Sequence, residues 1–197
     1  EADGEPLPEI QRRILVPPPG YRAREASLFV AQMDDQSRRL GEDTRGLGPA
    51  ELAWQPAPGL NTAGMLLAHV AIAEVYWMQV GPLGMSASDV ASVLGIGADD
   101  DGLPLPAGGL PPATLRDKDL AFYDDLLARA RAHTKEVLAG LSAADLDRKI
   151  TIKGPDGSTR AVINLRWVLY HLVEHEAGHY GQVNLLRHMY RISSGVG

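Results

Sequence analysis

The sequence predicts an all-α fold, a four-helix bundle with one small β-hairpin before its last helix. Three observations carry this. Four long stretches, near residues 21–45, 62–80, 114–141 and 165–190, place apolar residues at steps of three or four and contain no proline. Glycine and proline cluster between them, as in Gly46-Leu47-Gly48-Pro49 and Gly81-Pro82. A single hairpin pattern surrounds Gly154-Pro155-Asp156-Gly157. The chain has 197 residues, 45% of them hydrophobic, which suits one domain with a sizeable core.

Residues 1–20, with Pro6, Pro8, Pro17, Pro18, Pro19 and Gly20, read as an extended lead-in with at most one helical turn near residues 10–15. The domain is then 21–192. Ala26, Phe29, Val30, Met33 and Leu40 give the first long helix its apolar face. Pro49 and Glu51 suit a short helix through Leu52, and Asn61 or Thr62 can cap the second long helix. Leu66, His69, Ile72, Ala73, Tyr76 and Trp77 share one side of that helix. Residues 82–113 form an irregular insertion with one short helix near 88–94. A connection of that length is uncommon unless it covers something, so a lid over a site or a mere spacer are the two readings. Thr114 with Asp117 resembles a capping box opening the third long helix, whose buried side is Leu120, Tyr123, Leu127, Ala130, Val137 and Leu138. Lys149-Ile150-Thr151-Ile152 and Thr159-Arg160-Ala161-Val162 make the hairpin, and Asn164 caps the final helix. Gly46-Leu47-Gly48-Pro49-Ala50-Glu51-Leu52 resembles Gly140-Leu141-Ser142-Ala143-Ala144-Asp145-Leu146, so the bundle reads as two related helix pairs.

Composition excludes several classes. A net charge of −6 argues against a general nucleic-acid binder. No run of 18 apolar residues predicts a membrane span. No cysteine is present, which removes disulfides, thiolate ligands and a cysteine nucleophile together. A metal must then be held by His, Asp or Glu, and thiol chemistry needs a thiol brought in by a ligand. No signal peptide is recognisable, and a cytoplasmic location is expected.

The chemistry concentrates on the last helix. Val168, Leu172, His175, His179, Val183 and Leu186 follow one face, apolar except for histidines at i and i+4, a spacing that lets two imidazoles bind one ion. His69 is the histidine outside this helix that lies on a bundle-facing stripe. His69, His175 and His179 therefore form a candidate metal site with open positions, as catalytic sites have. His171 lies one turn before His175 and reads as a pocket residue or a partner for Glu174 or Glu176; His133 and His188 read as surface residues. His175-Glu176-Ala177-Gly178-His179 also satisfies H-E-x-x-H, in which Glu176 would be a general base. The further ligand that a zinc peptidase needs is missing: Gln182 and Leu185 stand at the extended-motif positions, and no Asp or Glu follows Glu176.

Leu66-Leu67-Ala68-His69-Val70-Ala71 with Glu74 and Tyr76-Trp77, together with His175-x-x-x-His179-Tyr180-Gly181-Gln182, resemble the DinB-like (DinB/YfiT) superfamily of metal-binding four-helix bundles over about residues 24–187. The resemblance implies a divalent ion, zinc first and nickel second, on His69, His175 and His179. It also implies kinship with transferases and isomerases that use mycothiol or bacillithiol. The chain departs from the family where Tyr180 replaces a frequent Arg, in combining His171 with His175, and in the length of 82–113. Three functions follow. One is a metal-dependent enzyme transferring a low-molecular-weight thiol to a small electrophile, with Glu176, Tyr76 or Tyr180 orienting substrate. The second is a metal-dependent hydrolase with Glu176 as base. The third is a non-enzymatic metal- or ligand-binding stress protein. Glu74, Glu176 and Gln182 are the expected partners of the distal imidazole nitrogens. A homodimer through helix faces is expected from Leu28 and Val30 beside Phe29.

Overall fold

Three of the four long helices begin on a side chain that accepts from a free backbone N–H of the first turn. Thr62 accepts from Met65 N to open α3 (Ala63–Val80). Asp119 accepts from Phe122 N to open α5 (Leu120–Ala139). Asn164 accepts from Trp167 N to open α7 (Leu165–Ser194), which ends on Gly195 in the left-handed conformation. The remaining long helix, α1 (Arg24–Thr44), has no side-chain cap. Its entry is tied instead to the end of α5, where the Arg22 guanidinium donates to Gly140 O at 3.1 Å. This computed structural model describes residues 14–85, 87–154 and 156–195. Most of the lead-in, including nearly all of the turn expected at 10–15, lies outside the described residues.

The short pieces are α2 (Pro49–Leu52), α4 (Val90–Leu94) and α6 (Ala143–Leu146), the last closed by a Ser142–Asp145 capping box. Strands β1 (Lys149–Lys153) and β2 (Thr159–Asn164) pair antiparallel and lead straight into α7. Helix α3 packs against both α5 and α7, α1 packs against α7, and a lighter α1–α5 contact completes the bundle. One core cluster joins α3 and α5 through Leu66, Ile72, Leu126 and Ala130. The other joins α1, α6 and α7 through Val30, Met33, Leu146, Val168 and Leu172. Helix α3 is long and apolar enough for a membrane span by length and composition, but 78% of it is buried inside the bundle. It is the central core helix.

The third long helix starts later than its sequence pattern implied. Thr114 belongs to a 3₁₀ turn, Ala113–Leu115, and its hydroxyl donates to Asp100 O. Asp117 takes a positive φ of 57°, which no helix permits, and Asp119 caps instead.

The 82–113 insertion is fastened at both ends. The Gln79 amide pairs with the backbone of Asp89, donating to its O at 3.0 Å and accepting from its N at 2.7 Å. Gly59 N and Gln55 Nε2 both donate to Gly109 O. Between these anchors Val90, Leu94, Ile96, Leu103 and Leu105 pack onto the α3–α5 core. The insertion is thus part of the domain's apolar interior, and it leads Asp101 back onto α3.

Candidate metal centre

Helices α3 and α7 bring His69, His175 and His179 together. The Nε2 atoms of His69 and His175 stand 3.1 Å apart, and those of His175 and His179 3.2 Å apart. Two nitrogens each about 2.05 Å from a tetrahedral ion would stand about 3.3 Å apart, so this spacing matches a shared ion. The three rings meet at different angles, 49° between His69 and His175 and 77° between His175 and His179, so the nitrogens converge while the rings fan out.

The far side of two rings fixes which nitrogen is bare. His69 Nδ1 faces Asp101 Oδ2 at 2.8 Å, so it carries the proton and Nε2 offers a lone pair. His179 Nδ1 faces Gln182 Oε1 at 2.9 Å with the same result. Burial, reinforced by the charges of His179 and His69, pushes His175 down to about 3, and burial also pulls His179 down. His175 and His179 are therefore held neutral. Two lone pairs aimed at His175 Nε2 exceed what one ring N–H can satisfy; a divalent cation satisfies all three nitrogens and leaves coordination positions open. Zinc and nickel both suit an all-imidazole set.

The partners of these rings differ in part from expectation. Gln182 takes its expected place. Glu74 and Glu176 do not: both are buried against Arg131 of α5. The Arg131 guanidinium grips Glu74 in a bidentate pair, at 2.8 and 3.1 Å, and donates to Glu176 at 3.0 Å. Ser37 of α1 donates to the other Glu176 oxygen at 2.6 Å, and Asp34, itself paired with Lys135, closes the outer side. Burial pushes the Glu176 carboxyl up, against the pull of Arg131 and Ser37. Adjacent positions on a helix point about 100° apart, which is why His175 and Glu176 serve different neighbourhoods.

The residue that sequence reasoning missed is Asp101. It is 3% exposed, accepts from Leu103 N through Oδ1, and turns Oδ2 to His69. His171 is paired with Glu174 at 3.2 Å and lies flat on Trp167, 4.9 Å between ring centroids at 7°. Tyr180, a candidate for orienting substrate, instead donates its hydroxyl to Asp43 of α1, which also accepts from Asn184. Tyr76 is exposed on α3 with its ring against Trp77. His188 is exposed as expected, whereas His133 is half-buried and its Nε2 finds no partner among the described residues. A cavity of about 650 Å³ opens beside Tyr76, between the end of α3 and β1, and none of the three histidines lines it.

The family model of the DinB superfamily matches residues 32–183, which include His69, Asp101, His175, His179 and Gln182. The chain belongs to the DinB superfamily. The bundle of this DinB-superfamily protein is similar to the crystal structure of a conserved protein from Enterococcus faecalis. That match has a TM-score of 0.61 at 20% identity, covers 86% of this chain and 97% of that one, and supports the fold alone. No curated protein matches the sequence.

Proposed function

We propose that this DinB-superfamily protein is a divalent-metal enzyme that transfers a low-molecular-weight thiol, of the mycothiol or bacillithiol kind, to a small electrophile in the cytoplasm. The observation that carries the reading is the convergence of three imidazole nitrogens, with Asp101 and Gln182 holding the far sides of the His69 and His179 rings. When bound, zinc or nickel supplies a positive charge that holds a thiol as thiolate at neutral pH. The chain's own part is to present His69, His175 and His179 with their lone pairs inward and to leave positions open. A chain without cysteine offers no thiolate of its own to compete for them.

A hydrolase with Glu176 as base draws less support. The carboxylate is 2% exposed and its oxygens are occupied by Arg131 and Ser37. Exposed Leu185, Met189 and Ile192, at steps of four and three along the end of α7, support a homodimer through that helix more than Val30 does, since Val30 is buried. Light scattering at micromolar concentration tests it, and a monomer refutes it.

The main test is elemental analysis of protein purified without a metal-affinity tag, followed by thiol titration of the cobalt-substituted form. About one ion per chain is expected if every copy holds the three-histidine site. A thiol-dependent charge-transfer band is also expected. Full metal occupancy with no response to any thiol would favour a metal-binding protein over a thiol transferase.

A further inference from the structure

A row of aromatic rings continues from the histidine trio along the α3–α7 groove. The His171 ring lies 5.4 Å from that of His175. Trp167 lies flat on His171 at 4.9 Å, and Trp77 of α3 meets Trp167 edge-on at 5.8 Å and His171 at 5.5 Å. Tyr76 extends the row past Trp77. These rings are not all core. Trp77 is half-buried against the α1–α7 cluster, but Trp167 keeps 40% of its surface exposed and Tyr76 39%. Trp167 thus leaves part of its surface open to a ligand, two turns from the three-histidine site.

Among the described residues, the acid bonded to the rings of this wall is Glu174, which binds His171 Nδ1 and accepts from Tyr170. Cations stand nearby: Lys149 lines a hollow together with Trp167, and Arg148, Lys149 and Lys153 line the cavity beside Tyr76. From Trp167 to His175 is eight residues, about 12 Å along the helix axis. We propose that the wall of Trp77, Trp167 and His171 receives the planar part, aromatic or conjugated, of a ligand whose head group sits at the open metal positions. The ligand class is thus a metal-ligating head joined to a flat π-system within about 12 Å. The inference rests on the open three-histidine site proposed above and adds the chemistry of what occupies it.

The test compares two probes of similar length and apolarity, 3-phenylpropane-1-thiol and 3-cyclohexylpropane-1-thiol, titrated into the cobalt-substituted full chain and followed by absorbance. The planar probe is expected to bind roughly three- to tenfold more tightly, the value of one aromatic stack. In Trp167→Leu that preference should vanish while cobalt content and the affinity of the cyclohexyl probe stay unchanged. The leucine stands at an exposed position, and the wild-type ratio decides the matter even without it. Equal affinities in the wild type, or an equal loss for both probes in Trp167→Leu, overturn the proposal. If neither thiol changes the spectrum, the thiol reading fails, and the same two tails are compared on hydroxamate heads. A planar preference there sustains the aromatic wall, and its absence, or no binding of either, overturns it.

Discussion

Arg131→Met tests the buried charge cluster directly. Arg131 is 8% exposed and, among the described residues, is the one cation in hydrogen-bond contact with Glu74 and Glu176, which are 4% and 2% exposed. Methionine fills most of the same volume, so packing changes little. What changes is that two carboxylates remain in the core, with one serine hydroxyl between them as compensation. Breaking a buried pair in this way costs about 3–5 kcal/mol. For a domain of this size that is a fall of about 6–20 °C in melting temperature. The pH dependence separates charge from shape. Without Arg131 the Glu176 carboxyl, which burial already pushes up, should have a folded-state pKa still further above that of the unfolded chain. The folded state then binds more protons, and stability is lost as pH rises through that value. The deficit relative to wild type, measured by urea denaturation, should be smaller at pH 5 than at pH 8. Adding Glu74→Leu and Glu176→Met should recover most of it, because the orphaned charges are then gone. A loss below about 1 kcal/mol, or one equal at both pH values, would refute the view that Arg131 acts by charge compensation.

Three further outcomes are expected. Asp101→Ala should weaken metal affinity about 10- to 100-fold, read by competition with a chromophoric chelator, because His69 loses the partner that fixes its tautomer; unchanged affinity would mean that the contact is incidental. Metal-free protein should lose stability as pH falls from about 6.5 toward 3, since the unfolded chain protonates His175 there and the folded one does not. His175→Gln should remove that part of the acid sensitivity, and superimposable pH–melting curves would contradict it. Gly64→Ala should destabilise by about 1–3 kcal/mol, because a Cβ would sit 2.7 Å from Tyr123 Cζ and 3.2 Å from Leu52 O, both in the buried core; a neutral substitution would mean that the α3–α5 contact is looser than described.

What the sequence revealed was whatever depends on neighbours within one or two turns. Thr62 and Asn164 cap the helices they precede. His175 and His179 at i, i+4 on an apolar face, with His69 on another, were enough to name the three histidines that the fold brings together and that could hold a metal ion. The errors have one origin, contacts from far along the chain. Thr114 has the local look of a cap, but its hydroxyl goes to Asp100, and the backbone at Asp117 turns the wrong way. Asp101 lies in an acidic stretch without periodicity, 32 residues from the ring it touches, and nothing local distinguishes it from Asp99 or Asp100. Arg131 and Glu74 left a usable sign: a single acid in the middle of apolar α3 demands a cation, and Arg131 adjoins the buried stripe of α5. Read that way, Glu74 would have been assigned to the core rather than to the metal.

Helix α7 holds His175 toward one set of partners and Glu176, the next residue, toward another. That makes the helix intolerant of changes in length at particular places only. One residue inserted between Trp167 and His175 would rotate everything beyond it by about 100° relative to the aromatic wall. Either the histidines and Glu176 would together leave His69, Arg131 and Ser37, or Trp167 would leave its place beside Trp77. Residues added at the hairpin turn around Gly157, or beyond Ser194, turn nothing that matters. The chain can therefore be extended, fused or tagged at those two places, while the stretch from Trp167 to Gln182 is a fixed gauge whose spacing has to be kept.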